Sequence, residues 1–379
     1  MKKLTLKPVD TFFFKNHQVT EAGNDTVMDG IFPPRPNTIY GALRGAFIHE
    51  HATFEEFSQQ RNDKLKKWMG TPNETGDFQI TYCGMEYNNI LFLPLPLDYQ
   101  VVEEDEKTIA YPLQLKKDTQ FSSQPGEWRL FSNRTEKSKS SSHQFVPIQH
   151  WKEGVLHHQP ICHFSHAAQI VSSEEKLGIA LNYQERRAEE HYLYRMVKWR
   201  FKEEGAFVVY TSSSPDFSSV KFARIGGENR PWIVKQNEEV FSLWTEEELQ
   251  KLSEQIKQTN IAKIILLAPA IWVNGSRPGS FDSEHILLPN GLRVKLLAAA
   301  IGRPELYGGW DIANHRPKPR KPMVPAGSVL YIKVQEGQIT ELLSLANGLH
   351  LTDEGAHEGF GFAVITSGKR MEEELSCIR

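Results

Sequence analysis

Prolines at 33, 34 and 36 stand directly ahead of Ile39, Ala42, Leu43, Ala46 and Phe47, whose three- and four-residue spacing is one apolar face of a helix. A helix start aimed by a rigid approach is an anion site, because its first N–H groups lack intrahelical partners and the dipole's positive end faces outward. Arg35 and Arg44 would add charge-assisted contacts to a phosphate, and Tyr40 stands close by in the same segment. Asn37 and Thr38 are both N-cap types, so the helix is expected to open at one of them. Gly41 and Gly45, four apart, remove side chains from one stripe and permit close approach by a backbone or an RNA strand. The same pattern equally suits a well-capped structural helix packed on a sheet.

Three further segments have phosphate-binding chemistry. Gly226-Gly227 lies between Arg224 and Arg230, which lets backbone approach a sugar-phosphate closely or simply makes a strand-joining turn. From Ile312 to Val334 there is no acidic residue, while Arg316, Lys318, Arg320 and Lys321 alternate with prolines. An extended basic segment of this kind tracks phosphates or serves as a solvated linker. Tyr307 and Trp310 precede it and offer stacking surfaces for unpaired bases, or core. Near the end, Gly359 and Gly361 alternate with Phe360 and Phe362, and no helix pattern follows that would make a nucleotide fingerprint of them.

Enzyme chemistry has thinner support. His157, His158, Cys162, His163 and His166 cluster without the ligand spacing of a zinc site, so no metal is expected. His17, His49 and His51 are candidate general bases for metal-independent RNA cleavage, since histidine titrates near neutrality. No P-loop, serine elbow, HExxH or paired-carboxylate signature stands in a convincing context.

The elements that would position these groups are short strands with few helices. Lys3 to Lys7 alternates as a strand and ends at Pro8; strands are also expected at 78–85 and 90–93, around an Asn88-Asn89 turn. Val197, Trp199 and Phe201 alternate with basic residues before Glu203-Glu204-Gly205 and a return through Phe207 and Val209, which predicts a hairpin. Thr245 with Glu248 is a capping box for a helix carrying Leu249, Leu252 and Ile256. Strands follow at 263–268, 292–298, 328–334 and 360–365, with a proline-studded connection at 316–325. Residues 103–143 are largely polar, and 132–142 contain no apolar residue, which predicts a mobile loop.

At 379 residues with 39% hydrophobic and 24% charged content, the chain is long enough for two cores, and interleaved strands and helices in both halves argue an α+β fold of two similar modules. A formal charge of −3 gives no global pull toward phosphate, so nucleic-acid binding must be local. Cys83, Cys162 and Cys377 are odd in number and far apart, which fits a reducing compartment and small buried thiols. The longest apolar stretch, Ile264 to Val273, is broken by Pro269 and is far short of the roughly 20 residues of a membrane span. The N-terminus lacks the apolar core of a signal peptide, so a cytoplasmic location is expected.

The order of segments resembles the third-subunit family of the Cmr, or type III-B, CRISPR interference complex, in the repeat-associated mysterious protein (RAMP) superfamily. The carrying segments are PVDTFFF from Pro8, FPPRPNTIYGALRGAF from Phe32, RIGGENRP from Arg224, LLAPAIW from Leu266, IGRPELYGGWD from Ile301, the PKP and VPAGSVLY run from Pro317 to Tyr331, and EGFGFA from Glu358. This chain departs at Arg35, where a small polar residue is usual, and in its long insert at 103–143. The resemblance implies two tandem ferredoxin-like (RRM-like) modules: an N-terminal one at 1–240 with a polar insertion at about 98–160, and a C-terminal one at 241–379 with a glycine-rich loop. It implies a non-catalytic ribonucleoprotein subunit without cofactor, which caps the 5′ handle of the CRISPR guide RNA in antiviral defence. Its partners would be the large cyclase-bearing subunit and the backbone subunit, with target RNA met indirectly and no membrane. RNA contacts are then expected at Arg35, Asn37, Thr38, Tyr40, Arg44, Arg224, Gly226, Gly227, Arg230, Trp310, Arg316, Lys318, Arg320, Lys321, Gly359 and Gly361. A guide-processing endoribonuclease of the same superfamily and a purely protein–protein bridge are the rival readings.

Overall fold

The computed structural model describes residues 2–15, 27–28, 30–105, 107–118, 126–182, 187–308, 310–311 and 316–370. His17 and Cys377 lie outside the described residues, as does the side chain of Trp310. The architecture is mixed α and β, with several sheets.

The alternation at the N-terminus forms a strand, β1 (Lys2–Pro8), which buries Leu4 and Leu6. With β2 (Gln79–Tyr87), β3 (Gly205–Ser213) and β4 (Pro231–Asn237) it makes the centre of an eight-stranded sheet. The order is β2-β3-β1-β4, and all three pairings are antiparallel. Strands at 90–94, 144–147 and 165–166 extend it beyond β2, and 222–224 forms the edge beyond β4. Helix α1 (Pro36–His51) buries Ile39, Leu43 and Phe47 of the face anticipated from spacing, joined by Tyr40 and Ile48, while Ala42 and Ala46 are half-buried.

Helix α2 (Glu246–Thr259) starts on the Thr245 capping box, with Leu252 and Ile256 buried. It leads into β5 (Ile261–Leu266), which joins β6 (Arg293–Ala300), β7 (Val329–Lys333) and β8 (Phe362–Ser367) in the order β6-β7-β5-β8, again antiparallel throughout. The two four-strand centres repeat one order. The strands of the first sheet all lie before residue 240 and those of the second all after residue 260, yet their cores are not divided there. Leu93, Tyr99, Val101, Trp151 and Leu156 are buried in one cluster with Ile264, Trp272, Tyr331 and Ile365. A second cluster holds Phe12, Phe14, Phe32, Phe47, Phe207 and Trp232. Among the described residues no helix is long and apolar enough to cross a membrane.

Four sequence expectations are corrected. Helix α1 is capped by Arg35 with Pro36 in its first position, so Asn37 and Thr38 lie inside the first turn; proline supplies the φ that position needs and forfeits only an N–H that would be unpaired anyway. The expected hairpin at 197–209 does not form, because 187–201 pairs with 171–182 while β3 inserts between β1 and β2. Alternation marks a strand but does not name its neighbour. Residues 132–142 are strapped to the hairpin at 99–112: the Lys139 N–H donates to Val101 O at 2.8 Å, and Arg134 lies 4.0 Å over the Tyr111 ring and 3.1 Å from Glu104. Finally, the proline-studded stretch is not an open linker, since 316–317 pairs with 310–311 and 321–324 joins 270–271 and 305–307.

Candidate nucleic-acid interface

Arg35 is 7% exposed, its Nη2 donating to Leu306 O at 3.0 Å, with Glu305 3.9 Å away and the Tyr307 ring 5.9 Å beneath the guanidinium. Burial pushes its pKa down, and Glu305 opposes this. Tyr40 stacks on Phe78 at 5.2 Å and meets the His357 ring edge-on at 5.3 Å. The turn containing His357 ends at Gly359, whose φ of +98° suits glycine and whose added Cβ would lie 3.1 Å from Ile80. Gly361, at φ +68°, donates its N–H to Pro269 O, and a Cβ there would come within 2.8 Å of Leu351 backbone. Phe360 is buried against Tyr307 at 5.3 Å.

The start of α1, the strand at 305–307 with the basic segment after it, and the glycine loop thus converge, although they lie far apart in sequence. Three polar atoms there, Arg35 Nε, Asn37 Oδ1 and His357 Nε2, are buried without a hydrogen-bond partner among the described residues. Orphaned buried groups of this kind call for an explanation, and a ligand presenting donors and acceptors is one. Burial pushes the Glu358 carboxyl up, an effect the Lys318 charge counters, and pushes the His357 imidazole down with help from Arg44. Arg316, Lys318 and Arg320 are exposed, whereas Lys321 is ion-paired to Glu354. Glu305, Tyr307, Glu354, His357, Glu358 and Phe360 complete the cluster. Of these, Tyr307 had appeared as a possible stacking surface and proves to be core; the acids and His357 carried no spacing signal.

Other expected contacts lie elsewhere or are already committed. Arg44 donates through Nε to Met69 O at 2.8 Å and through Nη2 to Thr71 O and Glu74 O, so it fixes the loop after Asp63–Met69 and is not free for phosphate. Thr38 is half-buried, and a Cβ on Gly41 or Gly45 would meet nothing within 4 Å. Gly226 and Gly227 face inward: the Gly227 N–H donates to Phe13 O at 2.8 Å, and a Cβ on Gly226 would lie 2.3 Å from that oxygen. Arg230 pairs with Asp10 at 2.8 Å and Glu228 at 3.0 Å, which leaves Arg224 exposed on the edge strand. Their glycines and Arg230 serve packing because the aromatic PVDTFFF segment runs beneath them.

Glu228 also binds the buried Lys198 and Lys176, and these hydrogen bonds, Lys198 first, hold its carboxyl down to about 2. A lowered folded-state pKa stabilises above the unfolded value of 4.5 and is lost as pH falls toward about 2. Urea midpoints measured across that window should therefore fall more steeply for the wild type than for Glu228→Gln; parallel profiles would contradict the network.

His49 and His51 sit in the last turn of α1, at about 1.5 Å per residue roughly 18 and 21 Å along the helix from Asn37. His158 is half-buried, its Nε2 3.1 Å from Ser367 Oγ, and among the described residues no group of three or more His, Cys, Asp or Glu side chains could hold a metal. Cys162 is exposed and Cys83 half-buried, against the expectation of buried thiols.

A family model described as CRISPR-associated protein (Cas_Cmr3) matches residues 4–370. The CRISPR system CMR subunit Cmr3 of Saccharolobus solfataricus is 22% identical over 236 residues, an alignment that takes in 61% of this chain and 62% of that protein's length. Two solved structures are similar, each at 16% identity and a TM-score of 0.49. One, the cryo-EM structure of type III-B Cmr-beta bound to cognate target RNA and AMPPnP, covers 91% of this chain and 88% of the matched one. The other, Cmr-beta bound to cognate target RNA, covers 87% and 86%.

Proposed function

Since this chain belongs to the CRISPR-associated Cmr3 family, whose model spans residues 4–370, we propose that it is a non-catalytic subunit of a type III-B Cmr effector complex that binds the 5′ handle of the guide RNA. In that role it bridges the large cyclase-bearing subunit to the backbone filament in cytoplasmic antiviral defence. The observation that carries the RNA reading is the convergence of the α1 start, the basic segment at 316–321 and the glycine loop around three orphaned polar atoms. Exposed cations supply phosphate contacts, while buried donors and acceptors supply base or sugar contacts. Phosphate binding at α1 itself rests on the Asn37 N–H, because the Thr38 N–H already donates to Arg35 O at 3.0 Å, with Arg44 acting only on the neighbouring loop.

The reading of two tandem ferredoxin-like modules is supported by the repeated antiparallel orders β2-β3-β1-β4 and β6-β7-β5-β8. In each, the first strand of the module lies between the third and the fourth, as in a βαββαβ unit. The non-catalytic reading is supported by the distance of His49 from the convergence point.

Crosslinking of the complex reconstituted with handle-containing guide tests the function. RNA adducts are expected at 35–37, 316–321 and 357–361, and a complex without any adduct on this chain would leave only a protein bridge. Incubation with precursor repeat RNA without metal is expected to leave the RNA intact; specific cleavage abolished by His49→Ala would overturn the non-catalytic assignment.

A further inference from the structure

Residues 312–334 contain no acid, so any carboxylate beside the basic segment must arrive from elsewhere in the fold. One does, from the turn that precedes β8. Glu354 Oε1 lies 2.6 Å from Lys321 Nζ. Its backbone is held by a bridge to Ile271 and by the Thr352 hydroxyl, which donates to Glu354 O at 2.8 Å, so the carboxylate is presented from a fixed position. A protein that needed only phosphate affinity would leave this cation bare.

We infer that Glu354 is a specificity-determining residue: it occupies the Lys321 cation of the basic segment, excludes unspecific RNA, and yields only to an RNA that adds contacts at the buried groups. This rests on the RNA-binding reading above. Carboxylate and phosphate compete for the same ammonium, and a fixed acid beside a phosphate track repels every backbone alike. The Lys321–Glu354 pair is displaceable, since its side chains are 39% and 46% exposed and solvent screens such pairs. Discrimination then falls to the orphaned atoms of Arg35, Asn37 and His357, which a scrambled RNA cannot satisfy.

The test uses the full chain and two RNAs of equal length, one carrying the handle and one scrambled, with affinities measured by fluorescence anisotropy across a salt series. Because the pair is at the surface, Glu354→Gln should melt with the wild type. Freeing one cation should tighten scrambled-RNA binding about fourfold at 0.15 M salt and steepen its log–log salt slope by about 0.7. The slope for handle RNA should not change, because that RNA already displaces the acid. Adding Lys321→Met to Glu354→Gln should abolish the gain. Unchanged scrambled-RNA binding in Glu354→Gln, or a gain that survives without Lys321, overturns this inference alone. Failure of the wild type to bind either RNA overturns the RNA-binding reading with it.

Discussion

Replacing Asp98 by alanine should destabilise the protein by about 3–5 kcal/mol, the loss characteristic of a buried ion pair deprived of one partner. Asp98 and Lys263 are each 1% exposed at the side chain and lie 3.0 Å apart, and the Tyr331 hydroxyl donates to the same carboxylate oxygen at 2.7 Å. Burial, reinforced by the Asp98 charge, raises the Tyr331 phenol well above its ordinary value, so it stays a donor. His158 is held down to about 3 by burial and by the Lys263 charge, and is neutral at pH 7. The pair also joins the chain just after the 90–94 strand to the centre of the second sheet, so its loss should loosen the seam between the two sheets. Urea denaturation of Asp98→Ala checks this, and a loss below about 1 kcal/mol would show that water reaches Lys263. The double variant Asp98→Leu with Lys263→Met, which leaves no lone charge, should recover most of the stability.

Removing Arg316, Lys318 and Arg320 together should weaken handle-RNA binding on the order of 50-fold at 0.15 M salt and flatten the salt slope by about 2, the value for three single-strand phosphate contacts. These side chains are exposed and form no ion pair among the described residues, so the fold should not suffer. Anisotropy titrations of the triple alanine variant between 50 and 200 mM salt measure both quantities. Binding indifferent to the change would remove the basic segment from the interface. The protein's net charge of −3 makes the result informative, because no global field would mask the loss of a local patch.

Much of the architecture was legible. The Thr245 capping box, the apolar stripe of α1 and the strand alternation at Lys3 to Lys7 are local signals, and all three elements form, although α1 opens at Pro36, ahead of the expected Asn37 or Thr38. Sheet membership was not legible in the same way. Phe201 and Phe207 read as the two arms of a hairpin because both strands alternate around a plausible turn, yet β3 goes between β1 and β2, where it is hydrogen-bonded on both sides. The polar run at 132–142 read as mobile for lack of apolar residues, but main-chain pairing to Val101 and an arginine over Tyr111 hold it without any.

For the candidate site, the sequence by itself determined the chemistry on offer: proline-aimed helix, basic segment and glycine turn, each written in contiguous residues. Only the tertiary structure decided which cations are free. Arg44, Arg230 and Lys321 are indistinguishable in sequence from Arg316, Lys318 and Arg320, yet the first three are committed to the carbonyls of 69–74, to Asp10 and Glu228, and to Glu354. The reason is that a charge's partner is set by proximity in space, and proximity across hundreds of residues follows from burial of non-local strands, which no local period encodes. The same holds for the meeting of Arg35 with Tyr307 and of Tyr40 with His357, through which three separate motifs become one surface.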